Sequence, residues 1–275
     1  VDKEFEPLDW TPLRDALKSR EVPDWHKPVL GRYHASQLPY CLMKQYITFK
    51  LADSAETPYV GGQSPEMWIG SLIHEAIERD VMPKVTHLFT PVVSEHEIYY
   101  GLGEGCEDGM IVGKVDHLVQ FPDGSLAVID VKSVGTLKWV RQNGLREVRQ
   151  YVTQLAFYQG ALNVHRGYLW FIAYRDGALQ EALVPCPFRE RYFEEILDRA
   201  RLLHTSLKTS SPPPAVPAYS WECIYRNGRY RCPFLDGPCP RRSATVEEKY
   251  VTKNGTSASK LVWTSYLPEG AKLEL

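Results

Sequence analysis

The sequence predicts an α/β protein. Three observations carry that reading. A turn-closed β-hairpin stands near the middle of the chain, at 109–132. A continuous apolar run, Gly167–Tyr174 (GYLWFIAY), is flanked by Arg166 and Arg175 and has the character of an interior strand. Between and around these lie amphipathic helical stretches, at 64–81, 145–163 and 188–207.

The hairpin is the best-determined element. Two β-branched stretches flank Pro122–Asp123–Gly124. Pro presets φ, Asp bonds its own backbone and Gly accepts a positive φ. A three-residue loop of this kind closes a type I turn with a bulge at the Gly. Phe121 then faces Ser125, and Asp116 lies opposite Asp130. Side chains alternate along a strand, so Lys132 shares the Asp130 face. A two-residue loop would put the two aspartates on opposite faces.

Carboxylates at facing positions stand roughly 5 Å apart at Cβ. Alone they repel, and one has its pKa raised. A divalent cation between them removes the repulsion, and oxygen ligands suit Mg²⁺ or Mn²⁺. A lysine two residues on holds a hydroxide nucleophile or stabilises a phosphorane-like transition state. Taken alone, the short pattern also fits an exposed hairpin with scattered charges.

The other elements follow in order. Residues 1–30 hold Pro7, Pro12, Pro23 and Pro28 and read as a surface arm, with one short helix near Leu13–Arg20. Ser36 caps a short helical turn in 33–50. Cys41, followed by Met43, Tyr46, Ile47 and Phe49, reads by itself as a buried small hydrophobe. Ser64–Val81 is the clearest helix, with Ser64 as cap and Pro65 at its first position. Ile69, Leu72, Ile73, Ala76 and Ile77 form its apolar stripe; Gly70, His74 and Glu78, four apart, share an adjoining face. Val92–Tyr100 reads as a strand, and the following GLGEGCEDG as a turn. In Leu145–Asn163, Val148, Val152, Leu155, Ala156 and Leu162 form a core face, and Gln150, Gln154 and Tyr158 run along one flank. Asp176–Gly177 turns the chain into a strand at 178–185. Phe193, Ile196, Leu197, Ala200 and Leu203 face inward from the last long helix.

Thr209–Pro217 (TSSPPPAVP) is a stiff linker. Beyond it Cys223, Cys232 and Cys239 stand in a Gly/Pro-rich knot with five arginines in or beside it, which points to metal–thiolate ligation one ligand short of four. Asn254–Gly255 marks a hairpin turn in 243–275. The domain reading is a 1–30 arm, a 31–208 core with Cys41 reaching the knot, a 209–242 linker and cysteine region, and a 243–275 tail.

Composition narrows the classes. The chain has 275 residues, 44% hydrophobic and 24% charged, enough for a sizeable core. A net charge of −2 gives no bulk nucleic-acid signal, so any such surface is local. No apolar run reaches the ~20 residues of a membrane helix. No secretory leader is visible, and six Cys without one favour a metal site or free thiols over disulfides. The expected location is cytoplasmic, with no membrane partner.

Four motifs now stand in order: Gly70/His74 on a helix, Gly113/Asp116 on a strand, Asp130/Lys132 on the next strand and Gln154/Tyr158 on a helix. This order resembles the RecB-like branch of the PD-(D/E)XK nucleases. One early Cys41 with three late cysteines further resembles its iron–sulfur members, among them the CRISPR-associated RecB-like exonucleases of antiviral defence. The resemblance implies a mixed sheet flanked by helices, a restriction-endonuclease-like core, with an iron–sulfur-bound terminal cap. It implies Mg²⁺ or Mn²⁺ held by His74, Asp116, Asp130 and the Val131 carbonyl. Asp116, Asp130 and Lys132 are the implied catalytic residues, with Lys132 aligning the nucleophile, and Gln154 and Tyr158 contact DNA. Cys41, Cys223, Cys232 and Cys239 are the implied ligands of a [4Fe–4S] cluster, with a Cys₄ Zn²⁺ site as the alternative; Cys106 and Cys186 lack companions. The implied function is a DNA exonuclease acting on single strands or free ends, in CRISPR adaptation or recombination and repair, with CRISPR integrase proteins or a separate helicase as partners. The alternatives are a structure-specific endonuclease of phage or repair origin and a non-catalytic iron–sulfur or zinc DNA-binding module.

Overall fold

A computed structural model describes residues 28–52, 65–138, 148–175, 178–215, 224–225, 230–232, 234, 239, 245–251 and 257–263. The expected helix at Leu13–Arg20, the Ser64 cap, the Asp176–Gly177 and Asn254–Gly255 turns and Cys223 lie outside these residues.

The elements alternate as the sequence periods require. They are β1 (Arg32–His34), α1 (Leu42–Ala52), α2 (Pro65–Ala76), β2 (Thr90–Gly101), β3 (Met110–Gln120), β4 (Leu126–Ser133), α3 (Arg149–Leu162), β5 (Arg166–Arg175), β6 (Ala178–Pro185) and α4 (Glu190–Thr209), then two short strand pairs, β7 (Ile224–Tyr225) with β8 (Tyr230–Arg231) and β9 (Thr245–Val251) with β10 (Ser257–Trp263). The main sheet is mixed: β4 and β5 pair in parallel, and the other long neighbours are antiparallel. A parallel pair needs a crossover, and α3 supplies it. Helices lie on both faces, which is the expected restriction-endonuclease-like core; an iron–sulfur cap is not present among the described residues.

The turn chemistry sets the hairpin register. Gly124 has φ 81°, and Phe121 N–H donates to the Ser125 carbonyl at 2.9 Å. Asp123 accepts from the Ser125 N–H at 2.9 Å. His117 consequently pairs with Ile129 and Leu118 with Val128.

Beyond that pair the hairpin forks. Along one edge β3 follows β2; along the other it pairs with β4 near its end and with β1, in parallel, near its start. Gly113–Asp116 lie between those two partners. Here α3 settles against the sheet, because a Cβ on Gly113 would stand 2.6 Å from Tyr158 Cε1 and 3.3 Å from Phe157 Cε1. Only glycine admits the two rings at that spacing.

The larger core joins β3, α1, α3 and α4 through Tyr33, Ile47, Val115, Leu118, Leu155, Phe157, Phe171 and Leu203; a smaller one joins α2 and its extension to Val119, Ala127, Ile129, Val131 and Ile172. The inward residues expected on α4 are all buried. The α2 period does not run to Val81 as α-helix: Ile77–Val81 is a π-turn, followed by a 3₁₀ turn at Met82–Lys84 that carries Pro83. Proline cannot donate to a helix ladder, so the helix ends there. Glu78 therefore leaves the regular four-residue row with His74. Among the described residues, no helix is long and apolar enough to cross a membrane.

Candidate metal centre

The fork in the sheet positions the candidate site. Ile111 and Val115 join the larger core while Val119 joins the smaller one. Regular alternation would place all three on one face, so the strand changes phase between Val115 and Val119. The β2 residue across from this point is Glu95, since Ser94 pairs with His117 and His96 with Val115. Glu95 has φ 52°, in the left-handed region that few side-chain-bearing residues adopt. Such distortions concentrate at functional sites.

Three side chains converge there. His74 Nδ1 lies 3.4 Å from Asp116 Oδ1 and 3.9 Å from Glu95 Oε1. One ligand atom from each of the three lies within 4.8 Å of the others. His74 reaches the fork because α2 runs close to β4: a Cβ on Gly70 would meet Ser133 Oγ at 2.9 Å. Asp116 is fixed by its second oxygen, which accepts the Val131 N–H at 2.7 Å. That bond replaces the direct Asp116–Asp130 ladder pair expected from the turn; the carboxylate occupies the ladder position.

Asp130 is 1% exposed, and its Oδ1 has no hydrogen-bond partner among the described residues. Lys132 Nζ stands 2.7 Å from Oδ2, where its ammonium pairs with the carboxylate, and 5.4 Å from the centre of the Tyr151 ring. Gln154 Nε2 donates to Tyr158 Oη at 2.9 Å, both side chains being buried.

The electrostatics follow from this crowding. Burial pushes the Asp130 carboxyl up to about 6, with Asp116 adding to the rise and Lys132 opposing it. Burial also works against charge on Asp116, but His74 and Lys132 outweigh it and hold that carboxyl below its usual range. Burial would lower His74; the carboxylates of Asp116 and Glu95 beside it win and raise it to about 10. Lys132 is likewise raised despite burial, by Asp130 and Asp116, and stays an ammonium. Burial raises the Tyr158 phenol, which keeps its proton. Glu95 is held below its ordinary value chiefly by His74, with Lys114 contributing.

These residues fit a divalent cation. A buried carboxylate with one oxygen lacking a donor, beside a second carboxylate, is costly as it stands, and a hard cation would satisfy both. Of the expected ligands, the structure brings His74 and Asp116 into one group and sets Asp130 on the β4 side of the fork. Glu95 was not among them. Its only sequence signal is an acidic residue inside a strand, and the 102–109 loop before β3 is too irregular to fix which β3 residue it meets.

The cysteine expectation is overturned. Among the described residues, the group able to hold a metal is His74, Glu95 and Asp116, and it contains no cysteine. Cys41 is buried in the larger core, Cys239 packs against that core, and Cys232 is half-buried. Cys41 thus takes the place of a small apolar side chain at the start of α1. Among the described residues neither a [4Fe–4S] cluster nor a Cys₄ zinc site is supported.

Comparison with known proteins places the fold. Residues 81–205 match the family model of the PD-(D/E)XK nuclease superfamily. The stretch holds Glu95, Asp116, Asp130, Lys132, Gln154 and Tyr158. The crystal structure of SSO0001 superposes with a TM-score of 0.52 at 18% identity, over 73% of this chain and 85% of that one. An alkaline exonuclease (LHK-Exo) from Laribacter hongkongensis gives a TM-score of 0.41 at 12% identity, over 66% of this chain and 90% of its own. No curated protein matches the chain. The fold is therefore similar to that of SSO0001, and the part of the chain that carries most of the site resembles the PD-(D/E)XK nuclease superfamily, with a candidate metal-binding triad. The match is to the superfamily at large, and among the described residues no signature of its iron–sulfur subclass or of a CRISPR-specific member is present.

Proposed function

We propose that this protein is a metal-dependent deoxyribonuclease that hydrolyses phosphodiester bonds, acting on single strands or strand ends. The observation that supports it most is Asp130, buried with its Oδ1 lacking a donor, beside Asp116 and ion-paired to Lys132 through Oδ2. In this reading His74, Glu95, Asp116, Asp130 and the Val131 carbonyl hold Mg²⁺ or Mn²⁺. The cation, when bound, supplies Lewis acidity toward a phosphoryl oxygen.

The chain's own residues do the rest. Lys132 is held protonated, so it takes no proton from water. It aligns the attacking oxygen and meets charge developing on the phosphorus oxygens. Tyr158 accepts from Gln154, leaving its own O–H to donate to a phosphate oxygen. Asp116, pinned by the Val131 N–H, keeps its other oxygen toward His74.

The test is cleavage of three DNAs, linear single-stranded, linear duplex and covalently closed circular, with Mn²⁺ and with EDTA. Degradation of the linear forms in Mn²⁺ alone is expected. Equal cutting of closed circles would make the enzyme an endonuclease, and no Mn²⁺-dependent cleavage of any of them would refute the reading.

A further inference from the structure

A second lysine stands beside this centre, and none of the chemistry above uses it. Lys114 lies on β3 two residues before Asp116, with its side chain 43% exposed. Its direct cross-strand neighbour is Glu97. Opposite charges at such positions ordinarily pair, but here the Tyr99 hydroxyl donates to Glu97. The Lys114 ammonium reaches diagonally instead and contacts Glu95 Oε2. The other Glu95 oxygen, Oε1, is the one that faces His74 Nδ1, at 3.9 Å. The carboxylate is thus held at one oxygen and presented at the other.

We propose that Lys114 is a positioning residue for the metal centre: by holding Oε2 of Glu95 it aims Oε1 into the gap shared with His74 and Asp116. The inference rests on the metal-dependent reading above. Glu95 comes from a backbone kink at φ 52°, but the kink sets only where its Cα lies. Three side-chain torsions separate Cα from the carboxylate, and a hydrogen-bonded partner is what reduces that freedom. Outer-sphere partners of metal ligands are worth about 10- to 100-fold in affinity.

A competing effect has the opposite sign. A lysine near a divalent cation also repels it, so removing the charge would tighten binding. Lys114 is nearly half exposed, and water and salt screen that repulsion. Loss of orientation therefore outweighs relief of repulsion.

The test is calorimetric Mn²⁺ binding to the full chain. Lys114→Met should weaken binding by about tenfold or more. Lys114→Arg, which keeps a donor at that place, should stay within about threefold of wild type. In a Glu95→Gln background, Lys114→Met should have no further effect. Unchanged or tighter binding in Lys114→Met would overturn the proposal, as would an equal loss in the Glu95→Gln background. If wild type binds no Mn²⁺, or Asp116→Asn binds it as well as wild type, the metal-centre reading itself fails, whatever Lys114 does.

Discussion

His74 gives the sharpest quantitative expectation. Its ordinary pKa is about 6.5, and Asp116 and Glu95 raise it to about 10 against the opposing effect of burial. A ligand nitrogen must be deprotonated to bind a metal, so binding Mn²⁺ expels this proton. At pH 8 a group with pKa about 10 releases about one proton, whereas an unperturbed histidine would release about 0.03. Asp130, near 6, is already ionised at pH 8 and adds almost nothing. Apparent affinity should then rise about tenfold per pH unit between pH 7 and 9. Isothermal titration in two buffers of different ionisation enthalpy, both at pH 8, gives the proton count directly. His74→Ala should bring that count close to zero. In the metal-free protein the same raised pKa stabilises the fold, fully below about pH 6.5, and this contribution is lost as pH climbs through about 10. A wild-type release below about 0.2 protons would refute the reasoning, because His74 would then be neutral before the metal arrives.

Three further outcomes are expected. Lys132→Met should lower turnover by about 10²- to 10³-fold, since a fixed cation aimed at developing charge is lost, while calorimetric Mn²⁺ affinity is unchanged or tighter; wild-type turnover would reject its role. Gly113→Ala should cost about 1–3 kcal/mol and lower the melting temperature by roughly 3–10 °C, because the new Cβ meets Tyr158 at 2.6 Å and Phe157 and Ala35 at 3.3 Å; an unchanged melt would contradict this packing. Gly70→Ala should be close to neutral in melting experiments, since helix propensity favours it by about 1 kcal/mol and the atom it meets at 2.9 Å is the movable Ser133 Oγ. Adding Ser133→Ala should make the pair more stable than wild type.

What could be read from the sequence divides along physical lines. Local chemistry was legible: Pro122–Asp123–Gly124 dictates a bulged turn, and the His117–Ile129 register follows from it. The stripe of α4 was legible, since its burial repeats with the helical period; α3 is buried without a break from Thr153 to Gln159, so Gln154 and Tyr158, read as a flank, are buried as well. Non-local geometry was not. Glu95 meets Asp116 only through the β2–β3 register, and the 102–109 loop carries no turn signal strong enough to fix it. The fork at Gly113–Asp116 depends on α3 seating its rings there, and the Asp116 bond to the Val131 N–H depends on the fork. The cysteines misled because their number and spacing say nothing of the surroundings they fold into, and the metal-holding group among the described residues contains none of them. Cys41 and Cys239 meet the apolar core, where a thiol packs as a small hydrophobe.

Asp130→Asn in a single-turnover assay bears most directly on the claim that this fork is a metal-dependent hydrolytic site. The amide keeps the side chain's size and removes the buried negative charge that a metal ion would meet. With Mn²⁺ and 5′-labelled linear DNA, cleavage should fall by at least about 10³-fold, the loss expected when a ligand that organises the catalytic ion is removed. The melting temperature in EDTA should stay close to that of wild type. Cleavage by a folded Asp130→Asn protein at the wild-type rate would contradict the account.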